Sequence, residues 1–266
     1  MAARTTVILG CGYTGQRVAK RILGRGGRVI GTSRNPDSLA GVAGLERVVL
    51  DGSSKFSLRF VPEDSLVLYS IPPVEEHHPA ELIRALGSRP GRVVYLSTTG
   101  VYGDQRDVDE NTAPAPRHPR DQQRLTAEHA VLNGPWSGMV LRPAAIYGPE
   151  RGVHVSMAEG KFRLVDGGTN FVSRIHVDDL AAHAEAALFS DVEGAWPVAD
   201  ENPCTSREIA EYCANLLGLP MPEDIPAAEA HHTRRADRRV DGRAVRERLQ
   251  LKLQYPSYRE GLSKRV

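Results

Sequence analysis

Short apolar runs recur through the first half of the chain, each with Gly, Pro, Asp or Ser close to its ends. They occupy residues 5–9, 28–31, 47–50, 65–69 and 92–96. Apolar runs of this length are typical of strands that are buried on both faces of a parallel sheet. We therefore predict a buried strand at each of them.

Helical spacing fills the segments between these runs. After the first run, Val18 and Ile22 are four residues apart, as are Ala19 and Leu23, and Gly24 is expected to end this helix. Residues 79–86 and 121–132 are further predicted helices. Alternation of strands and helices predicts an α/β fold with a doubly wound parallel sheet and right-handed crossovers.

The pattern loosens after a strand predicted at 138–141. Residues 149–170 are rich in glycine and polar residues, which indicates an excursion from the sheet, and a strand at 171–175 and a helix at 177–189 follow. Thr205 and Glu208 have the spacing of a capping box, and the amphipathic helix that they open is expected to end at Gly218.

A glycine-rich loop joins the first predicted strand to the first helix. Gly10, Gly12 and Gly15 form a G-x-G-x-x-G motif in the context that a dinucleotide site requires. Gly10 permits the tight turn, Gly12 lets a pyrophosphate approach the backbone, and Gly15 lets the helix pack closely on the strand. Tyr13 and Thr14 are candidate contacts in the same loop. The alternative is an ordinary strand–helix turn that needs glycines only for tightness.

The second strand bears on the choice of cofactor. An NAD-preferring fold places an acidic residue at its end, whereas Ser33 and Arg34 stand here and no acid occurs before Asp37. Both residues suit a 2′-phosphate, so we expect NADP(H), with NAD left open. The alternative for Arg34 is a solvated loop residue. Asp51 is expected at the adenine edge or as a turn former, and Ser70 is a further candidate cofactor contact.

Composition and charge exclude several function classes. The 266 residues contain 34 Lys+Arg and 33 Asp+Glu, which leaves no overall basic excess for nucleic acid or an anionic membrane. Three cysteines are too few for a disulfide framework, and no apolar run is long enough to span a bilayer. We expect a cytoplasmic protein. The adjacent histidines at 77–78 and 231–232 lack further ligands at metal-binding spacing, so no metal site is expected.

Several longer motifs resemble the extended or atypical short-chain dehydrogenase/reductases, the NAD-dependent epimerase/dehydratase superfamily. The segments that carry the resemblance are, in order, GCGYTG at 10–15, LSTTGVYGD at 96–104, LRPAAIYGP at 141–149 and RIHVDDLA at 174–181. YPSYREGL at 255–262 is similar to the C-terminal signature of a subset of that superfamily. The resemblance implies a Rossmann-like fold with a small C-terminal substrate lobe.

On this basis we divide the chain into four parts. They are an NAD(P)-binding Rossmann-like domain at 1–148, a substrate-lobe insertion at 149–170, a return to the Rossmann core at 171–200 and the C-terminal substrate lobe at 201–266.

The resemblance also implies a catalytic set, and the chain departs from it. The family uses a Ser/Thr to polarise the substrate oxygen and a Tyr-x-x-x-Lys pair for proton transfer and ribose binding. Thr98 matches the first position, but Arg120 and Arg124 stand where the Tyr and Lys are expected. Arginine stays protonated in proteins, so Arg120 cannot act as a base, whereas Arg124 can still place a positive charge beside the nicotinamide ribose.

Other side chains are candidates for the missing acid. Tyr102 is the first choice, and Tyr147 and His118 lie in or near the same motifs. The alternative for both tyrosines is packing with a hydrogen-bonded hydroxyl group, and the alternative for Thr98 is a backbone cap at the end of a strand.

Three further expectations concern the later segments. Asp178 or Asp179 is expected to cap the helix at 177–189. The Arg-rich stretch 231–248 is expected to form a solvated, salt-bridged helical face. By family analogy, Arg238 and Arg239 are candidates for contact with an anionic substrate such as a nucleotide-linked sugar.

Two functions remain open at this point. The first is an NADP(H)-dependent oxidoreductase or epimerase that acts on a hydroxyl or carbonyl centre of a sugar-like small molecule, with Thr98 polarising the oxygen and Arg124 near the ribose. The second is a catalytically silent NADP(H) binder that acts as a sensor or scaffold. The resemblance leaves a homodimer open.

Overall fold

The computed structural model describes residues 4–50, 58–73, 78–231 and 234–263. Its strands are β1 (Thr6–Leu9), β2 (Val29–Ser33), β3 (Glu46–Val49), β4 (Ser65–Tyr69), β5 (Pro90–Leu96), β6 (Asp107–Val108), β7 (Ser137–Pro143), β8 (Ala145–Tyr147), β9 (Leu164–Val165), β10 (Phe171–Val172), β11 (Arg174–His176), β12 (Gly194–Val198), β13 (Cys204–Thr205), β14 (Asp224–Ile225) and β15 (Arg239–Val240). Its helices are α1 (Tyr13–Leu23), α2 (Pro79–Ala85), α3 (Pro119–Leu132), α4 (Val153–Ala158), α5 (Val177–Leu188), α6 (Ser206–Leu217), α7 (Arg243–Arg248) and α8 (Tyr258–Ser263).

The central sheet has seven parallel strands in the order β12-β7-β5-β4-β1-β2-β3. The chain leaves β1 in one direction toward β2 and β3, and then returns to β4 on the other side of β1. The order therefore reverses beside β1, and a crevice at such a reversal is where doubly wound sheets bind ligands. The predicted α/β fold with a Rossmann-like parallel sheet is confirmed.

Most of the apolar runs form buried strands because both faces of the sheet are covered, but the prediction of a buried strand is wrong for β3, an edge strand that is mostly exposed. Ile8 points into one hydrophobic cluster with α1 and α5, whereas Val7 and Leu9 point into the opposite cluster with α2 and α3. All three side chains are fully buried. Strands of alternating polarity would leave polar groups under one helical layer, which explains the continuous apolar runs.

A separate cluster forms the core of the C-terminal lobe. Tyr147, Met157, Ile209, Cys213 and Tyr258 are buried together there. These residues come from β8, α4, α6 and α8, so the lobe is assembled from segments that are far apart in the sequence.

The sheet differs from the sequence prediction at its edge. The single strand predicted at 171–175 is wrong, because β10 pairs antiparallel with β13 and β11 pairs parallel with β8, outside the central sheet. The two are separated by Ser173, whose Oγ accepts the Val240 backbone N–H at 2.8 Å. The seventh strand of the sheet is β12, which contains Pro197 and was not predicted. Proline is tolerated there because β12 is an edge strand.

The solvated helical face predicted for 231–248 is also wrong for the described residues. This stretch contains the short strand β15 and the six-residue helix α7. The Arg238 guanidinium donates to the backbone carbonyls of Gly103 and Gln105, and Arg246 donates to the Ala199 carbonyl at 2.8 Å. These arginines are buried because they bind loop carbonyls, so the basic residues of the stretch serve partly as internal hydrogen-bond donors.

The cap of α5 is His176 and neither of the expected aspartates. Its Nδ1 accepts the Asp178 backbone N–H at 3.2 Å. Asp179 is buried and accepts the backbone N–H groups of Gln254 and Tyr255 at 2.8 and 2.9 Å. This carboxylate therefore ties the C-terminal segment to α5.

None of the described helices is long and apolar enough to cross a membrane. In the same part of the chain, no three metal-ligating side chains come together. His77 and His232 lie outside the described residues.

The capping box predicted at the start of α6 is present and gives a stability test. Thr205 Oγ1 accepts the Glu208 N–H at 3.1 Å, and Glu208 accepts the Thr205 N–H at 2.6 Å. Replacement of Thr205 by Ala should lower the free energy of unfolding by about 1 kcal/mol, measured by urea denaturation. Thr126→Ala, which removes an exposed hydroxyl group within α3, is the control and should change it by less than about 0.5 kcal/mol. Equal losses would contradict the assignment of the cap.

Candidate functional site

The glycine loop lies at the carboxyl end of β1, and its first turn depends on Gly10. Gly10 has a φ of +84°, and a Cβ there would lie 2.7 Å from Ile71 Cγ1. Its N–H donates to Thr32 Oγ1 at 2.9 Å, and its carbonyl accepts the Ser70 hydroxyl at 2.6 Å. Ser70, a predicted cofactor contact, is thus placed behind the loop, where it holds the turn in position.

The other two glycines differ from Gly10 in their surroundings. A Cβ on Gly15 would lie 3.0 Å from Ile8 Cγ2, as expected where a helix packs closely on a strand. A Cβ on Gly12 would have no atom within 4 Å, although Gly12 is the N-cap of α1. The first turn of α1 carries no acidic side chain. The open space and the positive helix end fit a dinucleotide pyrophosphate.

The remaining loop residues turn away from this space or border it. Thr14 is buried. Tyr13 is half-buried beneath the Arg17 guanidinium, which lies 4.1 Å from the centre of its ring. Cys11 is also buried, which raises the pKa of its thiol to about 12, so this residue packs as a small apolar group.

The residues expected at the adenosine ribose lie at the end of β2. Ser33 Oγ accepts the Asn35 backbone N–H at 3.2 Å. Arg34 is exposed, and it has no ion-pair partner among the residues that the structure describes. A cation with this freedom is available to a 2′-phosphate. Asp51 lies outside the described residues.

Thr98 lies at the carboxyl end of β5 and is half-buried. It is the N-cap of a short 3₁₀ turn, and its Oγ1 accepts the Gly100 N–H at 3.1 Å. The backbone-capping role is therefore present. Because the Thr98 hydroxyl group can donate its own proton while it accepts this bond, the cap leaves one donor for a substrate oxygen.

A buried polar network lies directly behind Thr98. Glu128 is fully buried and forms an ion pair with Arg142 at 2.6 Å, while the Ser97 hydroxyl donates to the same carboxylate. Arg142 also donates to the Tyr102 hydroxyl at 3.1 Å. Arg142 therefore forms a structural salt bridge. Glu128 was missed by sequence reasoning, because its partners are distant in the chain.

This network gives Tyr102 a packing role. Tyr102 is fully buried, and burial raises the pKa of its hydroxyl group against the opposing effect of Arg142. The geometry thus agrees with the packing alternative and not with proton transfer to a substrate in the cleft. Tyr147 is arranged similarly, since it is buried and its hydroxyl donates to the Ser257 carbonyl at 3.0 Å.

The two arginines at the Tyr and Lys positions lie on the first half of α3. Arg120 is exposed, and Arg124 is half-buried one turn further along. Burial raises the pKa of Tyr95 to about 12, and the nearby charge of Arg124 acts in the opposite direction. Arg124 therefore places a cation beside Tyr95, close to the carboxyl end of β5. His118 is exposed at the start of the same helix.

A cavity of about 450 Å³ lies beside the core of the C-terminal lobe. It is lined by β8, α4, β11 and α6, and its side chains include four arginines and one histidine but no carboxylate among the described residues. The charged lining residues are Arg151, Arg163, Arg174 and Arg234, together with His154. This arrangement attracts anions. Of these residues only Arg174 lies in a motif singled out from the sequence, which instead favoured Arg238 and Arg239 as substrate contacts.

The predicted substrate arginines lie elsewhere. Arg238 is occupied by loop carbonyls, and Arg239 lies 3.5 Å above the Phe171 ring. Arg239 instead lines a second cavity of about 560 Å³ with Asp200 and Glu201. Asp200 is buried, and burial raises the pKa of its carboxyl group to about 7, against the lowering effects of Arg174 and Arg246.

Comparison with known proteins places these features in a family context. The model of the NAD dependent epimerase/dehydratase family matches residues 77–195. A functionally unknown conserved protein from Silicibacter pomeroyi DSS is 32% identical, and its structure superposes with a TM-score of 0.83, covering 98% of this chain and 97% of that one.

Two further proteins carry functional names. A 3-diazoavenalumate denitrifying reductase from Streptomyces sp is 32% identical over 152 residues, which cover 52% of this chain and 50% of that protein. The matched region therefore spans about half of the reductase. MoeE5 in complex with UDP-glucose and NAD is 20% identical, with a TM-score of 0.82 and coverage of 98% and 96%, and a second MoeE5 structure contains UDP-glucuronic acid and NAD. At this identity MoeE5 shows the fold alone.

The buried network predicts separable effects on stability. Glu128→Gln leaves the buried Arg142 charge uncompensated and should lower the free energy of unfolding by about 3–5 kcal/mol. Tyr102→Phe removes one hydrogen bond and should lower it by about 1 kcal/mol. Chemical denaturation measures both, and calorimetric titration with NADPH should show the same affinity for Tyr102→Phe as for the wild type. Loss of NADPH binding in Tyr102→Phe would argue against a packing role.

Asp200 predicts a characteristic pH dependence. Its pKa is about 7 in the folded protein and about 3.9 in an unfolded chain, so the folded state binds more protons between these values. The contribution of Asp200 to stability therefore falls as the pH rises from about 4 to about 7, by on the order of 4 kcal/mol.

The test is the free energy of unfolding of the wild type and Asp200→Asn between pH 4 and pH 8. The variant should gain on the wild type as the pH rises, because its amide does not titrate. Parallel curves for the two proteins would show that Asp200 ionises normally.

Proposed function

Because the chain belongs to the NAD-dependent epimerase/dehydratase superfamily, we propose that it is an NADP(H)-binding oxidoreductase or epimerase. Its substrate is an anionic, sugar-like molecule that reacts at a hydroxyl or carbonyl centre. The observation that carries this proposal is the arginine-lined cavity beside the glycine loop. Arg151 of that cavity lies 6.0 Å from the ring of Tyr13 in the loop.

The residues present fit a dinucleotide. The backbone around Gly10 and Gly12 and the positive end of α1 would hold the pyrophosphate, and Ser33 and Arg34 would hold the 2′-phosphate of NADP(H). When bound, the nicotinamide supplies or accepts hydride. MoeE5 contains NAD in its structure. The preference of this chain for NADP(H) is supported by the freedom of Arg34 and the absence of an acid at the end of β2.

The chain retains the groups that bind and polarise a substrate. The Thr98 hydroxyl group donates to the reacting oxygen, and Arg124 contributes positive charge near that end of the sheet. Both actions stabilise negative charge that develops on oxygen during hydride transfer.

Proton transfer takes a different route from the family's tyrosine. Six of the eight tyrosines are buried, and arginines stand at the Tyr and Lys positions. The six buried tyrosines are Tyr69, Tyr95, Tyr102, Tyr147, Tyr255 and Tyr258. Reductions in which solvent or the substrate provides the proton suit such a site. The relative named 3-diazoavenalumate denitrifying reductase supports reduction as the reaction type.

The same observation favours a second candidate function, a catalytically silent NADP(H) sensor or scaffold. Arg120 and Arg124 bind phosphate or ribose oxygens but exchange no protons.

The two candidates differ in whether hydride leaves the cofactor. Incubation with 4-deuterated NADPH and a panel of nucleotide sugars and their keto forms should transfer deuterium to one of them if the protein is an enzyme. Binding of NADPH without any transfer supports the silent binder.

The cofactor preference predicts a selective variant. Arg34→Ala should weaken NADPH binding by about tenfold or more, through loss of a charge-assisted contact, and should leave NADH binding unchanged within about twofold. Calorimetric titration with each dinucleotide measures this. Lys20→Ala removes an exposed cation from α1 and is the matched control. Equal losses for NADPH and NADH in Arg34→Ala would refute the 2′-phosphate contact.

A further inference from the structure

The four arginines of the cavity differ in how many of their side-chain donors are already bound by the protein. Arg163 pairs with Glu223 at 3.1 Å and donates to two backbone carbonyls. Arg174 donates to the Val172 carbonyl and to Cys204 Sγ, and Arg234 donates to the Lys161 carbonyl. These three side chains are therefore held by the protein.

Arg151 differs from the other three. Within the described part of the chain it has neither an ion-pair partner nor a side-chain hydrogen bond, and it is exposed. Its guanidinium carbon lies 6.0 Å from the centre of the Tyr13 ring. A guanidinium without a partner in a cavity that lacks carboxylates is the group most available to an incoming anion.

The backbone fixes where this charge stands. Gly148 and Arg151 close a tight turn through reciprocal backbone hydrogen bonds of 2.8 and 3.1 Å. The turn lies against the glycine loop so closely that a Cβ on Gly148 would lie 2.6 Å from the Tyr13 hydroxyl oxygen. Arg151 is therefore held at the end of the cavity that adjoins the glycine loop. Arg163 and Arg234 come from segments that follow α4 in the chain.

We propose that Arg151 is a specificity-determining residue that binds an anionic group, carboxylate or phosphate, on the reacting unit of the substrate. This inference rests on the proposed function, since it concerns the same cavity. Arg163, Arg174 and Arg234 keep the general positive potential of the cavity, and Arg151 selects the substrate whose charge lies near the nicotinamide. A substrate that is neutral in this unit leaves the Arg151 charge without a partner.

The test uses two pairs of probes that differ in one anionic group. UDP-glucuronic acid and UDP-glucose differ by a carboxylate, and glucose 6-phosphate and glucose differ by a phosphate. Each is titrated calorimetrically into the full chain that has been saturated with NADP⁺. The variants are Arg151→Ala, Arg151→Lys and, as the control, Lys161→Ala, which removes a cation that pairs with Glu159 outside the cavity lining.

The wild type should prefer the anionic member of one pair by about tenfold or more, and the responsive pair identifies the group as carboxylate or phosphate. Arg151→Ala should bind both members of that pair equally, Arg151→Lys should retain part of the preference, and Lys161→Ala should match the wild type. A wild type without preference in either pair, or a preference that survives in Arg151→Ala, overturns the inference. So does an Arg151→Ala variant that loses NADP⁺ affinity, because Arg151 would then contact the cofactor.

Failure of the proposed function has a different signature. A wild type that does not bind NADP⁺ contradicts the proposed function before any probe is added. A wild type that binds NADP⁺ but none of the four probes contradicts the sugar-like substrate, and the role of Arg151 falls with it.

Discussion

The turn at Gly10 is the constraint on which the cofactor site depends. It joins β1 to α1 at the point where the strand order reverses, and it needs a positive φ and no side chain. Its N–H is bound by Thr32 at the end of β2 and its carbonyl by Ser70 at the end of β4. Three neighbouring strands therefore fix the peptide units on both sides of Gly10, and these set the direction in which α1 points its N-terminus at a ligand.

The second constraint is electrostatic, and it separates substrate binding from proton transfer in the family's chemistry. Binding and charge stabilisation need cations and donors, which Thr98, Arg124 and the cavity arginines provide. Proton transfer needs a group that gains and loses a proton near neutral pH, and arginine does not. Arg142 of the Glu128–Arg142 ion pair donates to the hydroxyl group of Tyr102, which is the last residue of the 3₁₀ turn after Thr98. This hydrogen bond holds the end of the turn against the buried network. We therefore propose a site that binds anions and takes its proton from a group other than the family's tyrosine.

The features that were predicted from the sequence are those that depend on residues close together in the chain. The glycine loop, the five strands of the first half and the capping box at Thr205 each depend on neighbouring residues, and each is present. Sequence reasoning missed β12, because five residues interrupted by Pro197 do not resemble a strand unless the adjacent β7 is known. It also missed Glu128 and the arginine cavity. Arg151, Arg163, Arg174 and Arg234 come from four different segments, and only the folded lobe brings them to one surface.

We propose that dinucleotide binding, and not folding, requires a glycine at position 12. A methyl group at this position meets no protein atom within 4 Å, yet it would occupy the space in front of α1. The most direct measurement is therefore NADPH affinity by calorimetry for Gly12→Ala, together with its free energy of unfolding. We expect Gly12→Ala to have a free energy of unfolding within about 1 kcal/mol of the wild type and to lose NADPH affinity by at least about tenfold. Unchanged affinity in a folded Gly12→Ala protein would contradict it.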